Sequence, residues 1–198
     1  TDPEPMSLVS QFILILVLTL LNAFFASAEM AIVSVNRNRI KMLADDGNKK
    51  ASLLVDLLEE PNKFLSTIQV GITLAGFFSS ASAATGISEV IGASLSQLGI
   101  PYAQSISLVV ITIILSYFTL VFGELVPKRI ALQKSEQMAM LSVRPIVFVS
   151  KFAKPFVKLL SLSTNLLLRV IGMSDTDLEE KVSREEIKSL VDAGEEYG

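Results

Sequence analysis

The chain has 198 residues, 51% of them hydrophobic and 19% charged, with a net charge of −3 and a mean hydropathy of +0.54. It contains no cysteine and no histidine, which excludes disulfides, thiolate metal sites and the imidazole chemistry behind most general-base catalysis and transition-metal binding. A bound metal would have to be held by oxygen, which favours a hard cation such as Mg²⁺, Ca²⁺ or Na⁺; the negative balance speaks against nucleic acid.

Several apolar runs exceed the roughly 18 residues that a soluble domain sustains, so the chain reads as an integral, all-α membrane protein. Met6 to Ala28 is uncharged and long enough to span. It lacks the basic start of a cleavable signal, since Asp2 and Glu4 come first. Asn22, Ala26 and Glu29 share one helical face, with Ser27 beside them. Glu29 reads equally as an interfacial charge paired with Lys128 or Arg129 and as a functional carboxylate.

Asn36 to Glu60 reads as two short helices broken at Asp45-Asp46-Gly47-Asn48 and ended by Pro61. Ile40 and Leu43, then Leu53, Leu54, Leu57 and Leu58, give each an apolar stripe for the membrane or for protein. The second uncharged run, Phe64 to Ser88, is rich in Gly, Ala, Ser and Thr, which let membrane helices approach closely. Ser66, Gln69 and Thr73 lie on one face of it, with Gly71 and Gly76 nearby. Ser79, Ser80 and Ser82 read as small-residue packing, with hydroxyls bonded one turn back. Ile91 to Gln104 is the expected connection to a third span, Ala103 to Gly123.

No charge occurs from Val90 to Gly123, and then comes Phe122-Gly123-Glu124-Leu125-Val126-Pro127-Lys128. A carboxylate at that depth reads by default as part of an ion or proton path; a structural pair with Lys128, four residues on, is the competing reading. Pro127 offers no N–H to the Gly123 carbonyl, leaving that oxygen free for a cation. The almost wholly apolar stretch Ile106 to Phe118 counts against a channel. No nucleotide, nucleophile or catalytic-dyad motif occurs, and an enzyme is not expected.

Arg37, Arg39, Lys41, Lys49 and Lys50 follow the first span and Lys128, Arg129 and Lys134 the third, whereas the link between spans two and three has no basic residue. The positive-inside rule therefore puts the N-terminus outside and the C-terminus in the cytoplasm of a multi-pass cell-membrane protein. Met138 to Met173 is apolar but punctuated by Arg144, Pro145, Lys151, Lys154, Pro155, Lys158 and Arg169. Lys151, Lys154 and Lys158 share a face, so the segment reads as an amphipathic belt on the membrane surface, with a fourth span as the alternative. Residues 1–173 thus form a transmembrane domain with juxtamembrane helices. Residues 174–198 form an acidic cytosolic linker helix, capped by Ser183 with Glu186, whose end at Gly198 points to a further domain.

Three stretches together resemble the transmembrane domain of the CorC/cyclin-M (CNNM) family, associated with Mg²⁺ efflux: Leu21 to Ala31, Pro61 to Gly76, and Gly123-Glu124-Leu125-Val126-Pro127-Lys128. The tail from Ser183 resembles the acidic helix leading into a cytosolic CBS-pair domain. The resemblance implies a homodimer among membrane lipids, with three spans, a hairpin and a belt per subunit. It also implies a dehydrated Mg²⁺ held by Ser27, Ser66, Gln69, Thr73, the Gly123 carbonyl and Glu124, with transport coupled to Na⁺ entry. Family members carry Ser where Ala26 stands and Asn where Ile72 and Gly76 stand; Ser27 and Gln69 are the expected substitutes. The alternative from another functional class is a membrane anchor or sensor that regulates other transporters.

Overall fold

The computed structural model describes residues 8–173 and 187–196. In chain order the elements are α1 (Leu8–Ser34), α2 (Arg37–Asp45), α3 (Lys49–Glu59), α4 (Pro61–Ser82), a π-helical turn (Ala83–Ile87) running directly into α5 (Ser88–Gln97), α6 (Ala103–Leu120), a second π-helical turn (Val121–Leu125), α7 (Val126–Gln133) and α8 (Ser135–Ile171). Residues 187–196 are also helical, whereas the expected Ser183 cap lies outside the described residues. The chain divides into two compact units, the first ending at Phe152 and the second starting at Ala153.

Among the described residues, three helical stretches are long and apolar enough to cross a membrane: Leu8–Ser34, Pro61–Ser82 and Ala103–Gln133. They coincide with the three expected spans, although the first helix runs on past Ala28 to Ser34 and carries Glu29 inside it. Helix α8 is not among them, and it continues through both Pro145 and Pro155 without a break.

The juxtamembrane hairpin forms where its polar residues dictate. Asn36 caps α2 by accepting from the Asn38 and Arg39 amides at 3.1 and 3.3 Å, and Asn48 caps α3 by accepting from the Ala51 amide at 3.1 Å. Gly47 between them has φ +97°, a conformation costly for residues with a Cβ. The apolar stripe packs on protein: Ile40, Leu54 and Leu58 join one buried cluster with Ile32, Phe64, Ile68, Ala131, Val143 and Ile146. Each buried Ile or Leu contributes about 1.5–3 kcal/mol, so this cluster fixes the end of α1, the start of α4 and α7 against the hairpin and the first turns of α8.

An ion pair from Arg39 Nε to Glu136 Oε2, 2.5 Å long, ties α2 to the start of α8. The hydrogen bond to Glu136, then its charge, raises the Arg39 guanidinium above its ordinary value. A raised basic group contributes stability below its unfolded-state value and loses it only as pH rises through the higher, folded one, far above neutrality. Both side chains are solvent-exposed, 61% and 38%, so water and salt screen the pair. Arg39→Ala should leave the melting temperature unchanged within error in a thermal melt at physiological ionic strength.

Helices α1 and α4 pack closely because Gly71 has no side chain. A Cβ there would lie 2.6 Å from Phe25 Cε2, and Phe25 is itself buried. Gly71→Ala should cost about 1–3 kcal/mol, the usual range for overpacking, read as a lowered melting temperature in detergent.

The link between the second and third spans differs from expectation. Much of Ile91 to Gln104 is helix α5, which folds back on α6 through a tight turn using Gly99 (φ +78°) and Tyr102 (φ +57°). Gly92 admits the Gln104 side chain, whose Oε1 would stand 2.4 Å from an added Cβ, and buried Ser107 donates to the Ser88 carbonyl at 2.7 Å. The connection without basic residues is thus largely one arm of a helical hairpin.

Candidate cation site

The site is built around the second π-helical turn. Pro127 has no N–H for the Gly123 carbonyl, so an α-helix would leave that acceptor empty. The backbone widens instead: the Val126 amide bonds the Val121 carbonyl, five residues back. The exposed side of the Gly123 carbonyl then faces α1, where Asn22 Nδ2 donates to it at 2.9 Å. Gly123 is the residue that permits this approach, since a Cβ would lie 2.9 Å from the same Asn22 nitrogen. The first π-helical turn repeats the device: an added Cβ at Gly86 would fall 2.0 Å from Gln11 Oε1 of α1. Each side-chain amide buried on α1 therefore sits against a glycine in a π-helical turn.

This arrangement corrects one expectation. The Gly123 carbonyl is not free; it already accepts from Asn22 and keeps one lone pair for a cation. Asn22, 2% exposed, stands on the face shared with Ala26 and Glu29 but is absent from the expected ligand set. The signal was present in the sequence: an amide inside a membrane helix needs a partner, and a proline releases one.

Glu124 lies in the same π-helical turn, half-buried. It makes no ion pair or hydrogen bond among the described residues, and neither does Lys128. The competing reading, a structural Glu124–Lys128 pair, is thus not realised among the described residues; a π turn shifts the four-residue register that stacks such side chains. Pairing of Glu29 with Lys128 or Arg129 is likewise not formed. Among the described residues, the carboxylates of Glu29 on α1 and of Glu124 on the third span are thus left without counter-charges.

The remaining candidates divide between two helices. Ser27 is buried and donates to the Ala23 carbonyl of its own helix. Ser66 donates to the Asn62 carbonyl at 2.8 Å. Gln69 Nε2 donates to Thr73 Oγ1 at 3.1 Å, and both side chains are exposed on α4. The structure therefore joins Gln69 to Thr73, and the Gly123–Glu124 turn to Asn22, but among the described residues no hydrogen bond links the α4 group to the turn. The buried hydroxyl of this part of α4 is Thr67, which bonds the Lys63 carbonyl at 3.1 Å and Ser150 Oγ at 3.2 Å.

Among the described residues, no three acidic side chains cluster as they would in a carboxylate-rich metal site. The chemistry available around the turn is one carboxylate with carbonyl, amide and hydroxyl oxygens, which suits a hard cation that has lost part of its water.

The description "Cyclin M transmembrane N-terminal domain" belongs to the family whose sequence profile matches residues 12–198. The chain is 36% identical over 186 residues to the UPF0053 protein sll0260 of Synechocystis sp., covering 93% of this chain and 41% of that protein. It is 32% identical over 180 residues to the UPF0053 protein YhdP of Bacillus subtilis, covering 90% and 40%. With the UPF0053 inner membrane protein YfjD of Escherichia coli it shares 27% identity over 172 residues, covering 86% and 37%. The chain spans about two fifths of the length of these relatives.

Proposed function

This chain belongs to the family of cyclin M transmembrane N-terminal domains, and from that premise we propose that it is the membrane part of a cation transporter that exports Mg²⁺ in exchange for Na⁺. The observation that carries the reading is Glu124: a half-buried carboxylate without a counter-charge, set in a π-helical turn of an apolar span. Such a residue is destabilising unless an ion visits it. Glu124 supplies charge for the dehydrated Mg²⁺, the Gly123 carbonyl its second lone pair, and Ser27, Ser66, Gln69 and Thr73 neutral oxygens. Gln69 and Thr73 need only exchange their mutual hydrogen bond for the ion, and the hydroxyls of Ser27 and Ser66 keep lone pairs while donating to their own helices.

The transporter works as a homodimer in lipid, with the N-terminus outside and the C-terminus leading to a cytosolic CBS-pair domain. On this topology Glu124 lies toward the cytoplasmic side, where Mg²⁺ enters the site. Alternating access requires the spans to shift against one another.

Purified protein in liposomes, loaded with a Mg²⁺ indicator and given opposed Mg²⁺ and Na⁺ gradients, tests this. Mg²⁺ movement that depends on Na⁺ on the opposite side is expected. Folded, correctly inserted protein that moves no Mg²⁺ would sink the reading in favour of an anchor or sensor for other transporters.

A further inference from the structure

Within the first compact unit, helix α8 has a fixed orientation. Ala139, Val143 and Ile146 are fully buried in the cluster that holds Ile32 of α1, Phe64 and Ile68 of α4 and Ala131 of α7. Ser150 shares a hydrogen bond with Thr67 of α4 at 3.2 Å. These residues recur on one side of the helix, so the opposite side faces away from the chain. That outward side carries Leu141, Phe148 and Phe152, which are 65%, 62% and 73% exposed. The two rings meet edge to face at 4.9 Å, and exposed Arg144 and Lys151 border the row.

Neither water nor hydrocarbon alone suits this face. In water, three large apolar side chains in one row would stay hydrated. In hydrocarbon, Arg144 and Lys151 would each be costly to insert. No acidic residue of the helix relieves them: the sequence has none between Glu136 and the end of α8 at Ile171, and Glu136 is taken by Arg39. Neither cation forms an ion pair or hydrogen bond among the described residues. An apolar row bordered by unpaired cations fits the boundary between acyl chains and headgroups. Its position agrees, because the cluster seating α8 joins the end of α1, the start of α4 and the end of the third span, and so stands at one end of all three spans.

We infer that the outward face of α8 from Leu141 to Phe152 is a docking surface for anionic phospholipid, with Phe148 and Phe152 among the acyl chains and Arg144 and Lys151 on headgroup phosphates. Charge complementarity selects this occupant. A zwitterionic headgroup brings its own cation to a face that already has two unpaired ones, whereas an anionic headgroup has net charge left to neutralise them. A second copy of this chain docking by the same face would oppose like charges. Arg144 and Lys151 stand two turns apart, about 10 Å along the axis, with Phe148 between them, so cationic and apolar contacts alternate along one surface. Lipid held there bears on α4 as well, since Ser150, next to Lys151, bonds Thr67, the neighbour of Ser66. An effect on the cation site rests on the transport reading; the docking surface does not.

Thermal melts of the purified chain in a neutral detergent test the assignment, with phosphatidylglycerol, phosphatidylcholine and water-soluble glycerol phosphate titrated separately. Phosphatidylglycerol is expected to raise the melting temperature saturably where the other two do not. Arg144→Gln combined with Lys151→Gln should raise the half-saturating phosphatidylglycerol concentration about 20-fold, roughly fivefold for each charge at an anionic surface. Phe152→Ser, which keeps both charges, should raise it about tenfold through lost apolar contact, and serves if the double variant does not fold. Lys49→Gln with Lys50→Gln removes the same charge from α3 and should leave the value within about twofold, as a local surface requires. Equal shifts from the two lipids, a shift of the same size from glycerol phosphate, or equal losses in the α3 and α8 charge variants would overturn the proposal. So would α8 variants that change the oligomeric state, read by light scattering, and leave the lipid response untouched.

Discussion

Glu124→Gln should weaken Mg²⁺ binding by at least about 100-fold, measured by isothermal titration of the detergent-purified chain. The substitution keeps the shape and the hydrogen-bonding carbonyl of the side chain and removes only the charge. For a divalent ion leaving water for a half-apolar site, charge is the larger part of what the side chain offers, because neutral oxygens alone do not offset dehydration. Among the described residues no group of three acidic side chains stands ready to replace it. The same variant should be more stable than the wild type without Mg²⁺, by about 1 kcal/mol, since it no longer holds an unpaired charge partly out of water. The two signs together are diagnostic. A structural ion pair would lose stability on mutation and leave Mg²⁺ affinity unchanged; a cation ligand loses affinity and gains stability. Equal Mg²⁺ affinity in the two proteins would remove Glu124 from the site.

The parts legible in the sequence are those that depend on neighbours along the chain. Asn36, Gly47, Asn48 and Pro61 bracket the hairpin within a residue of its observed helices, because caps and left-handed turns act over a few bonds. The three spans follow from apolar length alone. What stayed hidden depends on partners distant in sequence. The Gly123 carbonyl looked free because Pro127 is four residues away, whereas Asn22, which fills it, is separated by 101 positions. The π turns themselves change register by one residue, a shift that no periodicity reveals, and the competing pair of Glu124 with Lys128 is not formed. Ser79 was misread for a related reason: its buried hydroxyl has no hydrogen-bond partner among the described residues, and whether a membrane serine bonds its own backbone is decided by the facing helix. Gln69 and Thr73, by contrast, share a face in the sequence and are bonded in the structure.

The bond between Asn22 and the Gly123 carbonyl admits a test that isolates it. Asn22→Ala should destabilise the protein by about 1–2 kcal/mol, since it leaves a buried carbonyl without its donor. That cost alone would not identify the cause, because any buried truncation lowers stability. Pro127→Ala supplies the missing backbone N–H at the position four residues after Gly123, so the carbonyl gains a donor in its own helix. In that background Asn22→Ala should cost less by about 1 kcal/mol, a coupling within the range for residues sharing one partner. Pro127→Ala should also let the turn tighten toward an ordinary α-helix. The direction of the Glu124 side chain would then change, and Mg²⁺ affinity should fall although every proposed ligand is still present. If the two substitutions prove additive in stability, the carbonyl does not couple them and the π turn owes its shape to something other than Pro127. If they couple while Mg²⁺ affinity is unchanged, the turn is a packing device and Glu124 binds without it. Coupling accompanied by lost affinity is the expected result: the same proline that deprives one carbonyl of its helix would then be what sets the Glu124 carboxylate in place.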